Sequence, residues 1–490
     1  MSPQPRVAMV ASEMFPFAKS GGLGDVLGAL PAALARHGAE VSVFLPAYKS
    51  VIQRGGFTAP NGGYPDAFGG PDIRYTAFQA EHEGVRVYAV RCGDLFDREG
   101  FYGDDRGEYP DNALRFSRFC RGVLSILGQR ESPPDILHCH DWQSALVPAL
   151  LKTRLGGSPA WSRTASVMTI HNLGYQGRYG SAEFQHTGLP PEAFGIGGVE
   201  FYGDLNLLKG GIVSAEVVST VSESYAQEIQ TSEQGQGLEG VIASRAGDLL
   251  GIMNGVDYTV WDPANDPHLP AAYSREDMEG KAACRRALRA ELGLKGGNHM
   301  PLCVMIARLA SQKGMELLLE TLEDLLWTGL EVAVLGTGEV VYETALRRAA
   351  ERHHKQMAFR GLFNERLAHL FFAGGDLLLM PSRYEPAGLN QLYAMRYGTL
   401  PLVRKVGGLA SSVIAHKEID LERDTGFQFQ EMSAGEFFWT VVRACRAFED
   451  KGAWGRLVWN AMTQDFSWDR VVPRYLELYE GALARRAARG

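Results

Sequence analysis

The chain lacks the features that mark several broad protein classes. No apolar run approaches membrane-spanning length, which argues against a helical membrane protein. Cysteine is sparse and scattered, at positions 92, 120, 139, 284, 303 and 445, with no Cys-x-x-Cys pair. That excludes a disulfide framework and reads as reduced, structural thiols. Positive charge is not in excess either: 49 Lys and Arg face 57 Asp and Glu, a net charge of -8. Neither nucleic acid nor a membrane surface is therefore expected as a main partner, although a local basic cleft is compatible with that balance. Only residues 1–5 precede the first predicted strand, which leaves no room for a secretory or transit segment, so a cytoplasmic location is expected.

What is present describes a large globular protein. At 490 residues, 45% apolar and 22% charged, the chain exceeds one ordinary core and points to roughly two to four domains. Short apolar runs at 7–11, 40–45, 85–90, 135–139, 166–170, 217–221 and 249–253 alternate with helix-compatible sequence. This pattern predicts βαβ units around a largely parallel sheet. Residues 50–71, rich in Gly and Pro, read as an elaborated loop. Residues 261–270 carry three prolines and read as a linker, because proline continues neither a helix nor a central strand. A second α/β series follows at 302–306, 332–335, 357–359, 376–380 and 400–403, and 468–483 reads as an amphipathic helix. The expected fold is α/β, with two doubly wound Rossmann-like domains facing across a cleft. The expected domains are 1–261, 262–465 and a C-terminal segment 466–490. Ligands of such sheets sit at the carboxyl ends of the strands.

The motifs fall at those ends. Lys19-Ser20-Gly21-Gly22-Leu23-Gly24-Asp25 lies between the first strand and a helix. Its glycines let backbone approach a ligand, the helix start favours an anion, and Lys19 suits phosphate oxygens. This loop is neither Gly-x-Gly-x-x-Gly nor a P-loop. The fourth strand runs out through His138-Cys139-His140-Asp141-Trp142. A metal is not expected there: the two histidines share a strand face that Cys139 points away from, and no second ligand cluster has zinc spacing. Asp141 and Trp142 suit a hydroxyl-rich substrate, while a helix N-cap by Asp141 is an equally compatible reading. His171 and Asn172 follow the next strand, with Tyr175 and Gln176 close by. In the second half, Arg308 and Lys313 flank a strand-to-helix turn where they could converge on a diphosphate, or else stand as solvated cations. Glu385-Pro386-Ala387-Gly388-Leu389-Asn390 leaves another strand; Glu385 could accept sugar hydroxyls and the backbone beyond it could face phosphate.

This ordered set, Lys19-x-Gly-Gly-Leu, Asp141-Trp142, Ile170-His171-Asn172, Thr220-Val221-Ser222, Asn254-Gly255-Val256-Asp257, Arg308 to Lys313 and Glu385-Pro386-x-Gly-Leu, resembles the bacterial glycogen synthase and plant starch synthase family along essentially the whole chain. The resemblance implies a retaining glycosyltransferase of GT-B architecture that moves glucose from ADP-glucose to the non-reducing end of an α-1,4-glucan such as glycogen. It implies an acceptor-side first domain, a nucleotide-sugar-side second domain, and a last helix that crosses back to the first. Lys19, with Gly21 and Gly22, would meet the donor diphosphate. Arg308 and Lys313 would neutralise that diphosphate as it departs, and Glu385 would lie by the transferred glucose. Gly388 and Leu389 would give backbone donors to phosphate, with Asn390 beside them. Asp141 and His171, the remaining catalytic candidates, would embrace the sugar with Asn172, Asn254 and Tyr102, and Phe363 would stack on adenine.

Some residues depart from the family pattern. Ala387 stands for a usual Cys, Asn390 for Thr, Val406 for Thr and Ser411 for Asp, changes that bear on donor affinity and nucleotide choice. No metal or other cofactor is implied, since Lys19, Arg308 and Lys313 can carry its charge. Front-face substitution is the expected route, with a covalent glycosyl-enzyme as the alternative. A relative using UDP-glucose and a non-catalytic glucan-binding relative are the competing readings.

Overall fold

The computed structural model describes residues 5–58, 62–130, 133–296, 299–416 and 422–489. The chain forms two compact units. One comprises the residues up to Gly255 together with those from Trp468 onward, and the other is Val256–Ser467.

The first unit is built on a nine-stranded sheet. Its spatial order is Leu249–Gly251, Val217–Thr220, Ala165–Ile170, Ile136–His140, Arg6–Val10, Glu40–Pro46, Val85–Arg91, Gly70–His82 and Tyr64–Asp66. The first seven are parallel and the last two antiparallel. The parallel strands are continuous apolar runs because helices cover both faces: Val7 to Val10 and Ile136 to His140 are buried throughout. From Arg6–Val10 the chain first winds outward through Glu40–Pro46 and then returns to Ile136–His140 on the other side. The topological switch point lies between those two strands.

Residues 50–71 correct the expectation of a loop. The helix Lys49–Arg54, the strand Tyr64–Asp66 and the start of Gly70–His82 occupy them, while 59–61 lie outside the described residues. Gly62, Gly63, Pro65, Gly69 and Gly70 lie within or beside the two antiparallel strands at the sheet edge, where a missing N–H is tolerated, and Gly55 ends the helix. Further along, Tyr75 and Ala77 alternate inward as a half-buried strand requires.

The second unit holds a six-stranded, all-parallel sheet in the order Met357–Arg360, Glu331–Leu335, Leu302–Ile306, Leu377–Met380, Leu400–Arg404 and Phe427–Phe429. Its switch point lies between Leu302–Ile306 and Leu377–Met380. The stretch 261–270 is not a linker but an anchored part of this unit. The Trp261 ring is stacked between His369 and Tyr393, each with centroids 4.0 Å away. Asp262 pairs with Arg396 at 2.9 Å. Asp266 accepts hydrogen bonds from Tyr397 Oη at 2.6 Å and from His369 at 2.7 Å. The prolines rule out helix and central strand, as read, but side-chain anchoring replaces the missing backbone ladder. The chain passes between units at 255/256 and again at 467/468.

The final helix, Trp468–Arg489, belongs to the first unit. Trp468, Val472, Tyr475, Tyr479 and Ala482 recur at helical spacing and are buried in that unit's core. Among the described residues no helix is long and apolar enough to cross a membrane.

Candidate active site

In the first unit, five adjacent parallel strands bring Lys19, Asp141, His171, Ser222 and Asn254 to one edge of the sheet. The glycine loop is held by Glu13, which lies before the motif and has no sequence pattern of its own to mark it. Its buried carboxylate accepts from the Ser20 N–H at 2.5 Å, the Ser20 hydroxyl at 2.6 Å and the Gly21 N–H at 3.2 Å. Tyr102 donates its hydroxyl to the same carboxylate at 2.6 Å and lies 2.8 Å from Ser12 Oγ. Tyr102 is thus part of the loop's support. Lys19 pairs with Asp25 at 2.6 Å on the exposed side, and Gly21 and Gly22 open the helix Gly22–Arg36.

Asp141 leaves the strand Ile136–His140 with φ of 57°, a left-handed conformation uncommon for a residue with a Cβ. The helix that follows, Leu146–Leu150, has no side-chain cap, so Asp141 is not its N-cap. Instead its Oδ1 accepts from the backbone N–H of His171 at 2.7 Å and of Asn172 at 3.4 Å. Burial pushes its carboxyl up to about 7, against the lowering effect of those two N–H groups, and the negative charge of Glu13 adds to the rise. His171 Nε2 lies 3.0 Å from His140 Nδ1, and burial lowers His171 to about 3, so it is neutral at physiological pH. Asn172 turns its carbonyl onto the Gly174 N–H at 2.9 Å. Asn254 is buried, with no partner for its Oδ1 among the described residues. Beside this edge a cavity of about 320 Å³ is lined by Trp142, Tyr175, Gln176, Tyr179, Phe201 and Glu108 among others. Trp142 sits against the backbone of Gly177, where a Cβ would come within 2.5 Å of the indole.

In the second unit the switch point carries an ion pair. Lys313 Nζ lies 2.6 Å from Glu385 Oε2, which also accepts from the Ser382 hydroxyl at 3.0 Å. Lys313 follows Leu302–Ile306 and Glu385 follows Leu377–Met380. Two glycines let the loops close on each other. Gly314, at φ 69°, would drive a Cβ to 1.9 Å from Pro381 O, and Gly407, at φ 45°, to 2.1 Å from Glu385 O. Arg308 is exposed near Gln312, 3.4 Å away, on the same strand-to-helix turn as Lys313. Gly388 and Leu389 precede the helix Asn390–Arg396. The Asn390 amide donates to Ile306 O at 2.6 Å, tying that helix to the neighbouring strand. Phe363, 83% exposed, stands between Met357–Arg360 and the helix Glu365–Gly374. Among the departures, Ala387 and Val406 are buried and Ser411 is exposed.

The structure therefore brings together Lys19, Gly21, Gly22, Asp141, His171, Asn172 and Tyr102 in one unit, and Lys313, Glu385, Arg308, Gly388, Leu389 and Asn390 in the other. Phe363 stands on a loop separated from the Glu385 turn by two intervening strands. Among the described residues no group of three or more His, Cys, Asp or Glu is arranged to hold a metal. His138 and His140 do share a face, with centroids 4.1 Å apart, and both nitrogens of His138 are hydrogen-bonded to protein hydroxyls.

Comparison with known proteins is decisive about ancestry. The family profile "Starch synthase catalytic domain" matches residues 6–244 and "Glycosyl transferases group 1" matches 288–443. The chain is 42% identical over 478 residues to a glycogen synthase of Syntrophotalea carbinolica, covering 97% of this chain and 99% of that one. It is 44% identical over 480 residues to a glycogen synthase of an Anaeromyxobacter species, covering 98% and 99%. The chain belongs to the glycogen and starch synthase family. Membership makes it a glucan-elongating glycosyltransferase. The fold agrees. The catalytic domain of starch synthase IV from Arabidopsis thaliana, solved with ADP and acarbose, superposes with a TM-score of 0.90 at 33% identity, covering 98% of this chain and all of that one. A sucrose-phosphate synthase from Thermosynechococcus elongatus, at a TM-score of 0.63 and 17% identity, shares the fold alone.

Proposed function

We propose that this glycogen synthase family member transfers glucose from ADP-glucose, with retention, to the non-reducing end of an α-1,4-glucan such as glycogen. The observation that carries the reading is the Lys313–Glu385 pair at 2.6 Å, at the switch point of the second unit. A cation fixed by a carboxylate, next to Arg308 on the same turn, is preorganised for a diphosphate whose charge grows as the glycosidic bond breaks. Arg308 and Lys313 stabilise the leaving group. Gly388 and Leu389, before the unpaired N–H groups that open the next helix, meet its oxygens. Glu385, held by Lys313 and Ser382, accepts hydroxyls of the transferred glucose, and in that state it is a poor nucleophile. This favours front-face substitution, in which the leaving phosphate takes the acceptor hydroxyl's proton.

In the first unit, Lys19 on its Glu13-held loop meets the diphosphate, and Asp141, His171, Asn172 and Asn254 bind sugar hydroxyls. The cavity lined by Trp142 and Tyr175 suits a glucan, because aromatic faces pack on sugar C–H groups while Glu108 and Gln176 meet hydroxyls. The likeness to a starch synthase solved with ADP and acarbose supports both ligand classes.

The test is transfer of radiolabelled glucose to glycogen from ADP-glucose and from UDP-glucose. Incorporation chiefly from ADP-glucose is expected. Equal or greater use of UDP-glucose overturns the donor assignment, and absence of transfer from either overturns catalysis. Phe363 gives adenine a broad exposed face, so Phe363→Ala is expected to weaken ADP-glucose more than UDP-glucose and narrow their kcat/KM ratio. An equal loss for both donors would place base recognition elsewhere.

A further inference from the structure

His140 lies one step behind the candidate site. It is wholly buried, its Nδ1 is 3.0 Å from His171 Nε2, and its Nε2 has no partner among the described residues. Its ring also lies tilted against that of His138, which is locked on both sides. His138 Nδ1 is 2.9 Å from Tyr479 Oη, and its Nε2 is 2.6 Å from Thr169 Oγ1. Burial holds both His140 and His171 well below the ordinary histidine value, helped at His140 by the neighbouring imidazoles, so both are neutral.

Two neutral imidazole nitrogens 3.0 Å apart share one hydrogen. In one arrangement His171 Nε2–H donates to His140 Nδ1, which forces the other proton of the pair onto His140 Nε2, a buried N–H with no acceptor. In the other, His140 Nδ1–H donates to His171 Nε2 and leaves only a bare lone pair inside. Orphaned buried N–H groups are the rarer defect, so the second arrangement prevails. The remaining proton then sits on His171 Nδ1, which has no protein partner among the described residues and lies on the side of the ring away from His140.

We propose that His140 is a positioning residue that fixes His171 as a neutral Nδ1–H donor facing the sugar. A donor of this kind binds a sugar oxygen without exchanging a proton with it, and its orientation is set before substrate arrives. The inference rests on the reading of His171 as a sugar-binding residue, but the tautomer itself does not.

The experiment uses full-length protein labelled with 15N-histidine. Long-range 1H–15N correlations report the tautomer, and His171→Gln identifies the His171 signals by their loss. The wild type is expected to show His171 protonated on Nδ1. His140→Asn, whose amide nitrogen can stand where Nδ1 stood, is expected to keep that signature and stay within about threefold of wild-type kcat/KM. His140→Leu, which leaves the ring untethered, is expected to give mixed tautomers and to lower kcat/KM roughly tenfold or more, the scale of one lost or misdirected hydrogen bond. A wild-type His171 protonated on Nε2, or a tautomer unchanged by His140→Leu, overturns the proposal. Should His140→Leu not fold, the wild-type and His140→Asn spectra still decide it. A changed tautomer with unchanged kinetics removes His171 from the reaction, and with it the positioning role of His140, while the donor and acceptor assays stand independently.

Discussion

Lys313 and Asp141 show how single side chains carry the proposed chemistry. Lys313 balances Glu385 in the resting state and acts most strongly when the diphosphate leaves, so Lys313→Ala is expected to lower kcat roughly a hundredfold, with a smaller change in KM. Steady-state kinetics with ADP-glucose and glycogen check this. A variant altered in KM alone would mean that Lys313 binds ground state and transition state alike. Asp141 makes a stability claim. Its carboxyl lies near 7 in the fold, chiefly through burial, against about 3.9 in an unfolded chain. Between those values the folded state holds the proton more tightly, so this residue's contribution to stability falls as pH rises from about 4 to 7. Asp141→Asn keeps an acceptor for the His171 and Asn172 N–H groups but never ionises. Relative to wild type it is expected to gain stability with rising pH, by roughly 2 °C or more in Tm between pH 5 and 8. A constant difference across that range would show that Asp141 titrates normally. The catalytic candidates were legible because each sits in a short motif at a strand end. Glu13 and the positioning role of His140 were not, since their partners, Ser20 and His171, meet them through the fold and not through spacing.

At the scale of the element, the glycine loop depends on a carboxylate outside it. Four donor groups, from Ser20, Gly21 and Tyr102, converge on Glu13. Glu13→Ala removes their shared acceptor; Ser20 and Gly21 are exposed to water and Tyr102 keeps Ser12 Oγ, so the loss is about 0.5–1.5 kcal/mol per hydrogen bond. The loop is expected to loosen before the sheet does. Amide exchange at Ser20 and Gly21 should accelerate by an order of magnitude or more, and KM for the donor should rise about tenfold while far-ultraviolet circular dichroism stays unchanged. Unchanged exchange would mean that the helix start alone holds the loop. Twelve of the parallel strands were readable to within a residue or two because burial on both faces demands continuous apolar runs, whereas the edge strand Phe427–Phe429 was not read, being three residues long with a polar Gln428 at its centre. Gly70–His82 was missed because its ends carry the residues that signal turns, and residues 261–270 were misread because their prolines report what the backbone cannot do, not what Trp261, Asp262 and Asp266 hold.

Across the whole molecule, the first unit is discontinuous in sequence, with the second inserted between its parts. The first unit closes only with residues that follow the second, since Trp468, Val472, Tyr475, Tyr479 and Ala482 complete its core and Tyr479 reaches His138. Arg485 adds a pair with Asp248 at 2.7 Å. Removing the helix would expose several large apolar side chains on both sides of the break, at about 1.5–3 kcal/mol each, which is comparable with the whole stability of a domain. A chain ending at residue 467 is therefore expected to lose cooperative unfolding of the first unit, bind a hydrophobic dye and be cleaved by protease within residues 5–255. Val256–Ser467, whose core takes nothing from this helix, should stay resistant. Adding a peptide of residues 468–489 in trans should restore protection at micromolar concentration. Calorimetry showing the first unit melting at an unchanged temperature in the truncated chain would mean that the helix only decorates the sheet. In that case His138 and His140 would owe their burial to the sheet and its other helices alone.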